Sequence, residues 1–409
     1  LATNVFLTDD IITLEGLSIL ENELGCKAIT DRKYEALFGT HGGSNRSDTI
    51  RVRKPNQYTV RTGRTFTAQN IEDQYTTMVV DTQIGVDTEI YSDELKQDLS
   101  SFSDQVIRPQ MVLLANYVDA AVLAAALQTP NVVGTPGTVP SDLRTYLAAG
   151  VKLDQGAAPR DGQRSALIGP TMQMEIVDGL KGLYNNQGKI GDQFTTGEVS
   201  SKAAGLKFAM DQNVANHTVG PQGGTPLVTS VPLSGATALV TKGWNAVAAS
   251  RLVVNDVFTV ANVYGVNPVS KASTGALQQF RVTAAFSSDA SGNGSISVYP
   301  PMISSGAYQT ITALPQVDAP ISVLGAPGTV SAQGIVAHKS AIALAFCELP
   351  KPDGVDQSSS KTDKKLGISM RFVRWYDGDA DLWKARFDIK YGIKVLRPEW
   401  VCRVASGAA

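Results

Sequence analysis

Cysteine and histidine are scarce in this chain, three of each in 409 residues. Cys26, Cys347 and Cys402 are odd in number and far apart. That excludes a full disulfide framework and a zinc site built on cysteine spacing. They are expected as free thiols of a reducing cytoplasm. His41, His217 and His338 form no zinc-protease motif and no pair at metal-ligand spacing. His338 opens an apolar segment and is expected to be a structural hydrogen bonder. A phosphate-binding glycine loop and a nucleophile elbow are also missing. Asp377-Gly378-Asp379-Ala380-Asp381 begins like a calcium loop, but Leu382 and Asp388 stand where glycine and glutamate are needed. A turn between two strands is expected there. No catalytic residue, metal ligand or cofactor is therefore assigned. Positive charge is in short supply too: the formal net charge is −2, low for a protein that grips duplex DNA by its phosphates. Leu1-Ala2-Thr3-Asn4 lacks a basic start followed by an apolar run, so no secretion signal is expected.

What is present suits a folded chain. Apolar residues make up 43% and charged residues 18%, and the length implies two or three domains. The most organised stretch is 93–128. Ile107, Met111, Leu114, Val118, Ala121 with Val122, and Ala125 recur at helical spacing. A helix is expected from Pro109 to Gln128, stopped by Thr129-Pro130. Pro109 either opens it or marks a kink. Asn116 and Asp119 interrupt the stripe, and the segment is expected to be too short to span a membrane. Upstream, an amphipathic helix is expected over 8–24 and a short one over 33–38. The first either packs on its own domain or lies over a neighbour.

Between them lies a thin excursion. Ile50 and Val52 alternate with polar residues, and residues 75–81 read as the return strand. The tip between has very few apolar residues, so the ribbon has no core of its own and must lean on something. From Arg46 to Arg64 it carries six basic residues, Arg46, Arg51, Arg53, Lys54, Arg61 and Arg64, against one acid, Asp48. A solvated charged face, a nucleic-acid ribbon stacking through Tyr58 and Phe66, and a contact with an acidic patch on a neighbouring subunit all fit. After the long helix, helices over 142–149 and 171–180 and strands over 165–170 and 206–211 give an α+β pattern. Residues 221–331 change character, with short strands at 256–264, 279–286 and 295–299. Phe280, Val282 and Ala284 are expected on one face, and a turn-rich loop at 289–294 is expected to join a hairpin. This block reads as a small barrel or sandwich inserted into a host domain, because helical and strand patterns resume near Gly334.

Three stretches carry a family resemblance. They are residues 43–55, ending DTIRVRKP; residues 256–284, DVFTVANVYGVNPVSKASTGALQQFRVTA; and the tail, HKSAIALAF from His338 and LGISMRFVRWYDGDADLWKARFDIKYGIKVLRPEWVCRV from Leu366. With the helix, they resemble the major capsid proteins of tailed bacteriophages, which have the Hong Kong 97-type fold. More narrowly, the chain looks like the coat-protein family of the short-tailed Salmonella phage, whose members carry an inserted β-barrel domain. The resemblance implies an α+β fold with a long spine helix, an extended β-hairpin loop and an inserted small β-barrel. It divides the chain into an N-terminal arm (1–40), the extended loop with its base strands (41–92) and the spine helix (93–133). An axial domain follows in two parts (134–220 and 332–366) around the inserted domain (221–331), and C-terminal strands close the peripheral domain (367–409). By the same resemblance the chain is not an enzyme and assembles through pentamers and hexamers into an icosahedral virion shell around double-stranded DNA, which it holds without sequence specificity. Its further partners would be a scaffolding protein and a portal protein, with no membrane, and assembly would occur in the host cytoplasm. Arg46, Arg51, Arg53, Lys54, Arg61 and Arg64 become subunit-interface candidates and Pro109 a hinge candidate. No lysine–asparagine crosslink is defensible, so the shell is expected to be non-covalent. An encapsulating-compartment shell with protein cargo shares the fold and is the first alternative. A secreted β-rich binding module is a more distant one.

Overall fold

The computed structural model describes residues 9–34, 49–61, 63–64, 66, 68–69, 74–91, 106–179, 203–362, 368–379 and 382–407. The chain divides into two compact units.

The first unit takes Leu1–Arg53, Tyr75–Ala125 and Ile342–Leu396. Its centre is the 14-residue strand Leu382–Val395. One side of that strand pairs with Thr82–Tyr91; the other pairs with Ser369–Asp377 and then Ile342–Cys347, all antiparallel. Alternation decides what each row contributes. Tyr391, Ile389, Phe387 and Ala385 are buried and stand beside Thr82, Ile84, Val86 and Thr88. The intervening rows set Lys390, Asp388, Arg386 and Lys384 beside Gln83, Gly85, Asp87 and Glu89. On this polar face Arg386 lies 3.2 Å from Asp87 and Arg371 lies 2.6 Å from Asp388. Asp388 is only 1% exposed. Gly85 makes that possible, since a Cβ there would come within 2.5 Å of an Asp388 carboxylate oxygen.

Helix α1 (Asp9–Glu23) and helix α2 (Arg108–Ala126) belong to this unit. Leu17, Leu20 and Leu24 are buried, and Gly16 lets α1 approach Met370, Met111 and Ile107 closely. Thus α1 packs on its own chain, while Leu14 faces outward. In the expected second helix, Lys33 and Tyr34 form a turn and 35–38 lie outside the described residues. The α2 stripe of Ile107, Met111, Leu114, Val118 and Val122 is buried, with Ala121 and Ala125 at its margin. The helix is slightly shorter than expected, and 92–105 lie outside the described residues. By length and composition α2 is long and apolar enough to cross a membrane, so the expectation that it is too short does not hold. What makes it a core helix is Asp119. This buried carboxylate accepts hydrogen bonds from the backbone N–H groups of Gly25 (2.8 Å) and Cys26 (3.0 Å). Those groups open a 3₁₀ turn, Gly25–Ala28, where free N–H donors favour an anion.

The second unit takes Lys54–Gln74, Ala126–Ala341 and Arg397–Ala409. Its host sheet runs Val132–Val133, Val401–Ala405, Val330–His338, Arg164–Ile168, Lys207–Met210. Helix α3 (Leu143–Gln155) packs Tyr146, Ala149 and Leu153 into the same core as Met172 and Ile176 of helix α4 (Pro170–Gly179). The α3 helix runs six residues past the expected end: it continues through Gly150, and the burial of Leu153 in the core holds its last turn.

The inserted region forms a six-stranded sheet in the order Ile321–Val323, Val257–Val266, Ser273–Val282, Gly294–Met302, Ala236–Lys242, Leu227–Val228. Its ends meet: Ile321 N–H donates to the Pro226 carbonyl and Val228 N–H to the Ala319 carbonyl. The sheet therefore closes into a small barrel around Phe258, Phe280, Trp244, Phe286 and Ile296. One local expectation fails: Ala284 is exposed, because the strand ends at Val282. The expected hairpin pairing is present, Arg281 opposite Tyr299 and Val282 opposite Val298, and between the two strands Phe286–Ser288 pairs with Ala249–Leu252. Of the turn expected at 377–381, Gly378 and Asp379 form a turn and Asp377 stands opposite Leu382; 380–381 lie outside the described residues.

The Arg371–Asp388 pair gives a stability prediction. Asp388→Leu alone leaves a guanidinium without its buried partner and is expected to cost about 3 kcal/mol. Adding Arg371→Met should recover much of that loss, as read from chemical denaturation midpoints. The thiols give a second prediction. Cys402 is wholly buried and burial pushes its thiol up to about 12, whereas Cys347 is half-exposed. Native protein treated with iodoacetamide at neutral pH should be modified at Cys347 and not at Cys402, which mass spectrometry would resolve.

Candidate functional site

The thin hairpin is built as its alternation implies. Thr49–Arg53 pairs with Tyr75–Val79, setting Arg51 opposite Thr77 and Arg53 opposite Tyr75. Val52, Met78 and Val80 turn inward onto Ala343, Ala345 and Leu396. The exposed rows carry Arg51 and Arg53. The guanidinium of Arg51 sits 4.9 Å from the Tyr75 ring centroid, a stacking that orders the side chain. A small cavity beside the hairpin base is lined by Thr77, Val79, Asp81, Ala121, Tyr391 and Lys394.

Beyond Arg53 the last described rung of the ladder is the bond from Lys54 N–H to the Gln74 carbonyl, 2.7 Å. At the tip a side chain substitutes for a strand: Gln69 Oε1 accepts from Thr59 N–H (2.8 Å), and Gln69 Nε2 donates to the Thr59 carbonyl (2.6 Å). The Arg61 guanidinium bonds the Gly63 carbonyl. Arg61 and Arg64 are exposed, and Val60 and Phe66 are 95% and 82% exposed. Those apolar side chains meet no core within the described residues.

Arg51 and Arg53 lie on the hairpin, Lys54 at its end, and Arg61 and Arg64 on the loop tip. Arg46 lies outside the described residues. Lys54 faces the carboxyl of Glu399, which burial pushes up from the ordinary carboxylate range. Pro109 occupies the first turn of α2, directly after a wider turn at 106–107.

A second set of residues joins the inserted barrel to the host sheet, and sequence reading missed it. The Gln279 amide pairs with both backbone groups of Val132, at 3.0 and 2.9 Å, and so covers the sheet edge. Buried Asp256 accepts from Val253 N–H (2.8 Å) and Gly220 N–H (3.1 Å) and lies 2.9 Å from His217 Nε2. Within the inserted region itself, Arg251 donates to Ser288, Gln222, Asn245 and Val247. Buried Arg403 donates to the Asn255 carbonyl, 3.0 Å. The only sequence signal was a charged residue inside an apolar strand, as at Arg403. His338 accepts Ser340 N–H at Nδ1, so its Nε2–H faces Asp161 at 3.1 Å, with its ring edge-on to Trp400. Among the described residues no group of three or more His, Cys, Asp or Glu side chains could hold a metal ion.

The family model of the P22 coat protein, gene protein 5, matches residues 40–405. No curated protein matches the sequence. Among solved structures, that of Mycobacterium phage Che8 is similar at 12% identity, covering 93% of this chain and 90% of that one, with a TM-score of 0.44. The bacteriophage PhiM1 mature capsid gives 11% identity, 88% and 83% coverage and a TM-score of 0.42. The CUS-3 coat protein I-domain gives 20% identity over 26% of this chain and 98% of that one, with a TM-score of 0.20. These shape likenesses are weak, and the family match over nearly the whole chain is what assigns it. The chain belongs to the P22 coat protein family: it is a major capsid protein of mixed α+β architecture, whose copies form an icosahedral shell.

Proposed function

We propose that the chain assembles as pentamers and hexamers into a non-covalent shell around phage double-stranded DNA, and that its role is structural rather than enzymatic. The observation that carries this is the loop Lys54–Gln74. It holds exposed Val60 and Phe66 with exposed Arg61 and Arg64, and among its described residues no apolar side chain is buried. A surface of this kind is stabilised when a second copy packs over it. Many identical weak contacts in a closed shell act together, so no single one need be strong. The net charge of −2 also suits a shell that neither repels itself nor clamps the DNA it encloses.

On this reading residues 1–40 are an N-terminal arm, 41–92 the extended loop with its base, and 93–133 the spine. Residues 134–220 and 332–366 form the axial domain, 221–331 the inserted domain, and 367–409 the peripheral strands. A scaffolding protein directs assembly in the host cytoplasm and a portal protein occupies one vertex. Arg46, Arg51, Arg53, Lys54, Arg61 and Arg64 contact neighbouring subunits. Pro109 is a bend point of the spine between precursor and mature shells; unchanged maturation of Pro109→Ala particles would remove that role.

The assembly reading is tested by electron microscopy of the expressed chain, with and without its scaffold. Closed shells are expected, and a monodisperse monomer under every condition would overturn it. Reversing Arg51, Arg53 and Arg61 to glutamate should leave the circular dichroism spectrum intact and abolish shells. Normal shells from that triple variant would exclude an electrostatic role for the loop.

A further inference from the structure

The loop Lys54–Gln74 is not held by its own hairpin alone. Lys271, in the inserted barrel, donates from Nζ to Gln57 Oε1 at 3.0 Å and to the Ala307 carbonyl. Gln57 and Lys271 are 214 residues apart in the chain. The turn that aims this lysine is strongly determined. Asn267 N–H donates to the Ala272 carbonyl and Lys271 N–H to the Asn267 carbonyl, both at 3.0 Å. The Asn267 side chain accepts from Val269 N–H (2.9 Å) and Ser270 N–H (3.1 Å), and it donates to the Gln155 carbonyl at the end of α3 (3.1 Å). Lys271 itself sits at φ +57°, a conformation disfavoured for any residue with a Cβ. A lysine that served only solubility would need neither this backbone strain nor two directed acceptors. Its ammonium is half-buried, and burial lowers its proton affinity. The Gln57 amide oxygen and the Ala307 carbonyl are both neutral acceptors, so the contact acts through directed hydrogen bonds.

We propose that Lys271 is a positioning residue for assembly: through Gln57 it holds the loop Lys54–Gln74 on the inserted barrel, so that the barrel presents Val60, Arg61, Arg64 and Phe66 to a neighbouring subunit. The positive charge of Lys54, at the loop's start, also favours the buried Glu399 carboxylate. The inserted domain then does more than stabilise the subunit, because it fixes where the assembly loop stands before any neighbour arrives. This rests on the reading that the loop packs on a neighbouring copy.

The test uses the full-length chain with Lys271→Met, which keeps the aliphatic stem and removes the donors, and Lys271→Arg, which restores them. In unassembled Lys271→Met protein, amide exchange of residues 56–61 should rise about tenfold while exchange in the barrel core stays unchanged. Its particles, viewed by electron microscopy, should be irregular or of mixed size. Lys271→Arg should restore both readings. Unchanged exchange at 56–61, or faster exchange with uniform wild-type shells, would overturn the proposal. If Lys271→Met unfolds the barrel, Gln57→Leu severs the same bond from the loop side and must show the same pair of effects. Absence of shells from the wild-type chain would instead overturn the assembly reading itself, and exchange at 56–61 would still report on the clamp.

Discussion

The first unit depends on one strand, Leu382–Val395, paired along both sides. Over Leu382–Tyr391 such a strand has neighbours on both sides, which leaves it no freedom of register. A slip of one residue would send Tyr391, Ile389 and Phe387 to the charged face and Lys390, Asp388 and Arg386 into the core. Its partners come from residues 82–91, 342–347 and 369–377, so this sheet forms only after distant parts of the chain have met. Two glycines answer to the same constraint. Gly85 leaves room for the Asp388 carboxylate, and Gly392 lies where a side chain would strike the Val79 backbone. The charged ladder across this face fixes register more than it adds stability, since exposed pairs such as Arg386–Asp87 contribute about 0–1 kcal/mol each.

The second unit solves a different problem. Inserting a domain into a host sheet leaves backbone groups at the junction that neither core can satisfy. Here polar side chains do it. Gln279 stands in for a neighbouring strand at Val132, Asp256 gathers N–H groups from both sides of the junction, and Arg403 reaches the Asn255 carbonyl. Gln69 uses the Gln279 device at the loop tip. A buried polar network stabilises only when nearly every member is paired, and then it also specifies one arrangement.

These junctions explain what sequence could and could not show. Local periodicity is visible in sequence, so the hairpin at Ile50 and Val52, the spine stripe and the buried strand near Ala166 were all legible. The list of basic residues on the loop was legible too, being a matter of composition. Their neighbours were not. Arg51 stacking on Tyr75 follows from the hairpin register, and Lys271 meeting Gln57 follows from the tertiary fold. Asp119 looked like an interruption of an apolar helix. It is a cap for a turn more than ninety positions away, and no window of neighbouring residues contains that information. Ala284 was misplaced for the opposite reason: the alternation continues in the sequence after the strand has ended at Val282.

Assembly from weak contacts makes the order of the free subunit decisive. An exposed ion pair is worth about 0–1 kcal/mol, and immobilising one long side chain on binding costs about 0.5–1.5 kcal/mol. A freely rotating arginine or a loose loop would therefore gain little or nothing per contact. In this chain part of that ordering already exists before any neighbour binds. Arg51 is stacked on Tyr75, Arg61 is tied to the Gly63 carbonyl, and Gln69 and Lys271 hold the loop at Thr59 and Gln57. Each clasp shifts an entropic cost from the association step to the folding of the subunit. A contact near zero then becomes slightly favourable, and repetition over a closed shell turns slight preference into a stable particle.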